Sequence, residues 1–291
     1  MILVTGATGK IGREVVRQLS GVLAPVRALV RDRKKAAFLT LPGIELVVGD
    51  FLKPRTLNAA LAGVDRVFLL SPADPLQVEM QSNAIEAAKR AGVQLIVKIS
   101  VGGGPDASTQ IGRWHWATEK QLGASGIPFT LLRPNLFMQN TLAFAPSIAA
   151  TGAFRLPMGQ GRVSVVDTRD VAAAAVCALM LPGHARKIYD LTGPEAISFE
   201  TMAQEISQAM GGKVDYVDVS PEEAREEMLG GGLSPWLADD MLVLFRSYRE
   251  GYGAAVSGAV SEVTRREPRT FRKFAKDYAR VFREGKRESE L

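Results

Sequence analysis

The sequence predicts an α/β fold: a doubly wound parallel sheet with helices on both faces, followed by a smaller C-terminal α+β lobe. Two observations carry that reading. The chain opens on an apolar run, Ile2-Leu3-Val4, which meets three glycines at G-x-x-G-x-x-G spacing, Gly6, Gly9 and Gly12; Val15, Val16 and Leu19 then recur at helical spacing. Short apolar runs go on alternating with helix-like segments as far as residue 135, and such alternation requires a parallel sheet covered on both sides.

The order strand, glycine turn, helix gives the opening motif its meaning. Gly6 permits a tight turn, Gly9 lets the backbone approach a pyrophosphate, and Gly12 lets the helix sit close to the strand. The helix N-terminus offers unpaired N–H groups and a partial positive charge to phosphates. A second strand, Val26 to Val30, ends at Arg31-Asp32-Arg33-Lys34-Lys35. In a dinucleotide fold this end reaches the adenosine ribose, where an acid suits a free 2′-hydroxyl and a base suits a 2′-phosphate. Arg31 comes first, so NADP(H) is favoured over NAD(H), while Asp32 next door keeps NAD(H) open.

Residues 44–48 read as a third strand followed by Asp50 and Phe51, placed to meet an adenine amine and cover its ring. A short helix over 55–61 leads to a fourth strand at 67–70 ending in Ser71-Pro72. Helix 77–91, a fifth strand at 95–99 running into Ser100, helix 112–124 and a sixth strand at 129–132 ending at Arg133-Pro134-Asn135 complete the alternation. Ligands of such sheets bind beyond the carboxyl ends of the strands, so the Gly6 loop, Arg31, Asp50, Ser71, Ser100 and Asn135 converge on one crevice.

Past Asn135 the pattern loosens. Residues 136–150 read as helix, 163–166 as strand, 167–181 as helix, 187–191 as the last strand of the main sheet, 198–210 as a helix capped by Ser198, 214–219 as strand, and the rest as mostly helical with Gly230-Gly231-Gly232 as a loop or hinge. This divides the chain into a dinucleotide-binding part, 1–135 plus about 168–192, and a smaller lobe, about 136–167 plus 193–291, closing over the crevice.

Composition bounds the rest. The 291 residues are 46% hydrophobic and 23% charged, ordinary for a globular protein, and no apolar run is long enough to span a bilayer. The first residues enter a strand directly, leaving no room for a targeting peptide. One cysteine, Cys177, fits a reducing cytoplasm, and two histidines, His115 and His184, with that cysteine make a zinc site improbable. The net charge of +5 is concentrated from Arg265 onward, where ten Lys/Arg face five Asp/Glu. Phe271, Phe274, Ala275, Tyr278, Val281 and Phe282 recur there at helical spacing, the pattern of a helix docked by its apolar stripe. A nucleic-acid or membrane surface is the other reading of that basic face.

Several segments taken together resemble one family. TGATGKIG at 5–12, VRDRKKA at 30–36, VVGDF at 47–51, HWATEKQL at 115–122, SGIPFTLLRPN at 125–135 and REPRTF at 266–271 look like the NmrA-like group of atypical short-chain dehydrogenases/reductases. The likeness implies a Rossmann-type domain, a small C-terminal substrate lobe and binding of NADP(H) or NAD(H). It is nearest in character to type 2 quinone oxidoreductases and triphenylmethane-dye reductases, and the group also holds regulators that bind dinucleotide without known turnover. By the same resemblance Gly6, Thr8, Gly9, Lys10, Ile11 and Gly12 form the phosphate loop, Arg31 reads the 2′-phosphate, and Asp50 and Phe51 meet the adenine. Leu70, Ser71 and Pro72 lie beside the nicotinamide-side ribose, and Pro134, Asn135 and Leu136 lie at the nicotinamide.

Ordinary short-chain dehydrogenases place Tyr-x-x-x-Lys on the helix after the fifth strand. Here that helix has no tyrosine. His115 and Glu119 sit at i, i+4 on one face, with Trp116 and Lys120 on the adjoining one. Reducing a simple ketone creates an alkoxide and calls for a well-placed acid, worth about 10²–10⁴ in rate. A quinone, an iminium or a cationic dye accepts hydride without creating so basic an anion, and a site lacking tyrosine there is better matched to them. The expectation is therefore hydride transfer to a conjugated electrophilic acceptor, with His115 donating a proton or polarising the acceptor, Glu119 orienting it, and Lys120 touching the nicotinamide ribose. The alternatives are a His–Glu pair that only braces its helix and, for the whole chain, a non-catalytic NADP(H) sensor. Trp114, Trp116, Phe137, Met138 and Phe144 are available to stack a planar acceptor or to pack the two lobes together. Whether the chain is a monomer or a homodimer is open.

Overall fold

The structure, a computed structural model, describes residues 1–286. Seven strands form one parallel sheet in the order β3-β2-β1-β4-β5-β6-β9, comprising β1 (Ile2–Val4), β2 (Val26–Val30), β3 (Ile44–Val48), β4 (Arg66–Leu69), β5 (Leu95–Ile99), β6 (Phe129–Pro134) and β9 (Lys187–Leu191). The crossovers are α1 (Lys10–Gly21), α2 (Pro54–Leu61), α3 (Gln77–Arg90) and α4 (Gln110–Ala124), with α6 (Thr168–Met180) returning the chain to β9. After β3 the chain crosses to the other side of β1, so strand order reverses between β1 and β4. That reversal opens the crevice in which an open α/β sheet takes its ligand.

Both faces of the sheet are buried, which is why its strands read as apolar runs. Val4, Val16, Phe68, Val97, Leu132 and Ala174 lie in the core beneath α1 and α6, while Leu3, Leu57, Leu69, Ile85, Ile96 and Leu122 lie in the core beneath α2, α3 and α4. Each fully buried aliphatic side chain of this kind contributes about 1.5–3 kcal/mol relative to exposure.

A second core gathers around Phe154, Phe199, Met202, Phe271, Phe274 and Phe282. Its elements are α5 (Ala145–Thr151), β7 (Ala153–Leu156), β8 (Arg162–Val163), β10 (Ile197–Ser198), α7 (Phe199–Met210), β11 (Asp215–Asp218), α8 (Pro221–Gly230) and α9 (Pro235–Arg249), with α11 (Phe271–Asp277) and α12 (Ala279–Glu284) closing it. The helix between α9 and α11, α10 (Ala259–Thr264), instead seats Val260 and Val263 in the core beneath α1 and α6.

The structure departs from the sequence reading in four places. Residues 136–150 do not form one helix: Leu136 is a bend and Phe137 is extended and bridged to Val166, before a 3-10 turn at Met138–Phe144 and then α5. The strand expected at 163–166 is only Arg162–Val163, paired with β10. An unanticipated strand, β7, pairs in parallel with β11, a contact between segments too far apart for local patterning to report. The C-terminal stripe is divided between α11 and α12 at Tyr278, with its apolar residues inside the second core as expected. Of the charges counted in that tail, Arg287, Glu288 and Glu290 lie outside the described residues.

Candidate active site

The crevice at the switch point is a cavity of about 260 Å³ lined by Gly6, Ala7, Thr8, Gly9, Arg31, Asp50, Phe51, Leu70, Ser71, Pro72 and neighbouring aliphatic groups. Its floor is held by Thr5, whose hydroxyl donates to Leu70 O at 2.9 Å and so ties the end of β1 to the end of β4. Gly6 has φ of +61°, and a Cβ there would lie 2.8 Å from Leu70 O. A Cβ on Gly12 would lie 2.1 Å from Gly6 O, so only glycine lets the helix start against the turn.

The N-terminus of α1 is the telling feature. Thr109, Asp167 and Ser198 cap α4, α6 and α7 with side-chain oxygens; α1 starts at Gly9, which has no side chain to do so. Its first-turn N–H groups are thus left for an anion, and the glycine cradle gives a diphosphate room to approach. The residues present fit a dinucleotide.

At the other end of the cavity stands Arg31. The neighbouring Asp32 carboxylate is turned into its own loop, accepting from the backbone N–H of Lys34 at 2.8 Å and Lys35 at 3.3 Å. That ties one oxygen of the acid into its loop; Arg31 lines the cavity and Asp32 does not, the arrangement suited to a 2′-phosphate.

Other expected cofactor residues sit apart from this wall. Ile11 is buried in the sheet core and offers only backbone, while Lys10 reaches across to Asn140 Oδ1 at 3.4 Å. Asn135 is occupied as a staple: its amide donates to Ser164 Oγ (2.8 Å) and Gly253 O (2.9 Å), and its carbonyl accepts from Leu136 N–H (2.8 Å) and the Tyr248 hydroxyl (3.1 Å). Pro134 is buried and Leu136 packs on the second core, so this segment has backbone to offer a ligand. Lys120 is exposed, its ammonium 5.9 Å from the Trp116 ring, because one step beyond Glu119 on the helix points away from the sheet. The structure does not bring it to the cavity.

His115 and Glu119 both face the sheet and are both buried, yet the expected pair is not what forms. Glu119 accepts from Ser100 Oγ at 2.5 Å and takes Arg133 as a fork, at 3.1 Å through Nε and 2.6 Å through Nη2. The partner of His115 is Lys98, whose Nζ stands 2.9 Å from Nδ1 and donates to Ile99 O at 2.9 Å. Lys98 is fully buried in β5. Burial pulls its amine down to about 7, Arg133 adding to the fall and Glu119 opposing it. Burial, then the charge of Lys98, hold His115 well below the usual imidazole range. The ring is therefore neutral at neutral pH. With Lys98 donating to Nδ1, the ring proton is assigned to Nε2. Nε2 has no hydrogen-bond partner among the described residues and is not one of their fully sealed, unpartnered atoms, which are Gln77 Nε2 and Gln81 Oε1; the residue as a whole is buried and does not line the glycine cavity.

Sequence reasoning missed Lys98 and Arg133. A signal existed for the first: a lysine inside an apolar strand of a sheet covered on both faces has to be buried, and buried lysines shift. The aromatic supply divides as well. Phe144 stacks on Phe154 in the second core with centroids 5.1 Å apart, and Trp114 meets Trp236 of α9 at 5.3 Å; both serve packing. Trp116 is half-buried, its ring edge 4.0 Å from where a Cβ on Gly104 would lie. His184 pairs with the Tyr189 hydroxyl at 2.9 Å. Among the described residues no three His, Cys, Asp or Glu side chains are grouped to hold a metal, and no helix is long and apolar enough to cross a membrane.

A seven-stranded parallel sheet with a glycine cradle at its switch point and an arginine at the ribose end of the crevice defines a Rossmann-type, NADP(H)-binding protein. The model of the NmrA-like family matches residues 1–275, and the chain belongs to that family. It is 45% identical over 283 residues to the NAD(P)H azoreductase of Xenophilus azovorans, covering 97% of this chain and 99% of that one. Among solved structures it resembles the NADPH-dependent quinone oxidoreductase of Escherichia coli complexed with NADPH (TM-score 0.87, 30% identity, 95% of this chain and 99% of that one). It also resembles the Citrobacter sp. triphenylmethane reductase complexed with NADP(H) (TM-score 0.85, 27% identity, 96% and 99%).

Proposed function

We propose that this protein is an NADPH-dependent reductase acting on flat, conjugated, electrophilic acceptors: quinones, azo compounds, iminium ions or dyes. The observation that carries the reading is the open cleft itself, with an uncapped helix N-terminus at one end and Arg31 at the other. The activities of the azo- and quinone-reducing relatives support it. Gly6, Thr8, Gly9, Lys10, Ile11 and Gly12 hold the diphosphate, Arg31 the 2′-phosphate, and Asp50 with Phe51 the adenine. Leu70, Ser71 and Pro72 line the second ribose, and Ser100 with residues 134–136 borders the nicotinamide. Bound there, the reduced nicotinamide supplies the hydride.

The chain's own contribution is positioning and polarity. His115, neutral and with its proton on Nε2, acts as a hydrogen-bond donor that polarises an acceptor rather than as an imidazolium acid. Lys98 fixes that tautomer. Glu119 fastens Ser100 and Arg133 beneath the site rather than orienting His115. The second core and its helices form the acceptor-binding lobe, and we take the cytoplasm, suited to a lone Cys177, as the compartment.

The test is steady-state NADPH oxidation by the purified protein with a panel of quinones, azo dyes and cationic dyes, alongside His115→Ala. The reading expects turnover with at least one class and a lowered kcat/KM in the variant. Dinucleotide binding with no turnover of any acceptor would instead identify a sensor.

A further inference from the structure

The helix after β5 lacks a tyrosine, but the second lobe delivers one to the same end of the sheet. Tyr252 lies in the loop after α9, and a Cβ built on Gly102 would come within 2.8 Å of its hydroxyl oxygen, one on Gly103 within 3.3 Å. Gly102 and Gly103 immediately follow Ser100 and Val101 at the carboxyl end of β5, where such sheets bind ligands. The glycines leave the space the hydroxyl occupies.

This phenol differs from those of Tyr189, Tyr216 and Tyr248, whose hydroxyls are engaged by His184, by Leu156 O and Met158 N–H, and by Asn135 respectively. The Tyr252 hydroxyl has no hydrogen-bond partner among the described residues, and the side chain is 56% exposed. Its ring is nonetheless held in place: it stacks on Tyr248 with centroids 6.4 Å apart and planes at 21°, and Tyr248 is itself bonded to the Asn135 staple. Burial raises this phenol above the ordinary tyrosine range, Asp190 of β9 adding to the rise and Arg133 of β6 opposing it, so it stands as the protonated donor. The ring of Trp116 lies near Gly104 of the same loop. An unpartnered hydroxyl and an indole thus border one loop, which suits a planar acceptor carrying a polar atom.

We propose that Tyr252 is the hydrogen-bond and proton donor to the acceptor atom that becomes negative on reduction. The inference rests on the reductase reading above. When hydride adds to one atom of a conjugated double bond, the electron pair of that bond moves to a nitrogen or oxygen. The Tyr252 O–H bond breaks, its proton passes to that atom, and the phenolate, next to Arg133, regains a proton from water. The net reaction consumes one hydride and one proton per acceptor. A positively charged carbon acceptor, such as a triarylmethane cation, becomes neutral on receiving hydride and needs no proton. The contribution of Tyr252 must therefore follow the basicity of the anion formed: large for an azo nitrogen, smaller for a quinone oxygen, absent for the cationic dye.

The experiment is Tyr252→Phe, assayed with NADPH against one azo dye, one benzoquinone and crystal violet. Expected falls in kcat/KM are roughly a hundredfold, at the lower end of general-acid effects, then roughly tenfold and less than about twofold as the anion formed becomes less basic. NADPH affinity, followed by its fluorescence, should stay unchanged, while the azo dye should bind the NADP⁺-loaded variant about threefold or more weakly in an absorbance titration. Gly102→Ala, which crowds the hydroxyl, should give the same rank order. Equal losses on all three acceptors, or no loss on any, would overturn the role of Tyr252 while leaving the reductase standing. A wild-type protein that oxidises NADPH with none of the three would overturn both.

Discussion

The glycine crevice and the polar network beneath β5 and β6 are built on opposite principles. In the first, the backbone is stripped of side chains and the first turn of α1 has no side-chain cap. Its donors are left unsatisfied for a ligand. In the second, Lys98, Ser100, His115, Glu119 and Arg133 are packed inside the protein and satisfy one another, leaving chiefly the His115 Nε2 without a partner. One region binds because it is incomplete; the other positions a single group because it is nearly complete. A reductase of this design needs both, one to hold an anionic cofactor and the other to present a neutral donor without a mobile charge nearby.

The contrast breaks most visibly at Gly12. Gly12→Ala drives a methyl into Gly6 O, which is backbone and cannot swing aside. NADPH affinity should fall by roughly a hundredfold or more, about 2.7 kcal/mol, with far-UV circular dichroism reporting whether the sheet survives. Wild-type affinity in the variant would mean that the loop does not close on a diphosphate.

Removing one member of the closed network acts on stability instead. Glu119→Gln strips the countercharge from Arg133 in a pair whose side chains are 16% and 6% exposed. It should cost about 3 kcal/mol in urea denaturation, because an uncompensated charge remains buried. A loss below about 1 kcal/mol would show that the network is open to water.

Lys98 sharpens the comparison through pH. Between about 7 and the ordinary 10.5, the unfolded chain keeps a proton on this amine that the folded chain has released. Protons bound in the unfolded state exceed those in the native state, so stability rises with pH across that window, by about 1.4 kcal/mol per unit at most. Lys98→Met should be the more stable protein at pH 7, with the gap narrowing toward pH 9. Parallel stability curves would contradict a depressed amine.

The smallest effect is expected at the exposed end of the crevice. Arg31→Ala should weaken NADPH by about tenfold, roughly 1.4 kcal/mol, and leave NADH nearly unchanged. Equal losses for the two would remove Arg31 as the reader of the 2′-phosphate.

These two regions were not equally legible in the sequence. The crevice is local: strand, glycines and helix fall within twenty residues, and the apolar strands announce a sheet covered on both faces. The order of its strands follows from short crossovers. The network is not local, since β5, α4 and β6 meet only in the folded chain, so the spacing of His115 and Glu119 indicated a shared face but not that each would find a different partner. The same holds for β7 with β11 and for the Tyr248–Asn135 bond, whose ends are 113 residues apart. Tyr252 is the extreme case, a residue in an irregular loop whose neighbours, Tyr248 and the Gly102–Gly103 turn, meet it only in the folded chain. Asp240 of α9, accepting from the N–H groups of Gln110 and Ile111 at the start of α4, helps join those segments.

Everything above depends on the crevice being a dinucleotide site. Isothermal titration calorimetry of the purified chain with NADPH and with NADH tests this most directly. The account predicts saturable binding at one site per chain, with NADPH the tighter ligand; absence of heat with either coenzyme, reduced or oxidised, would contradict it.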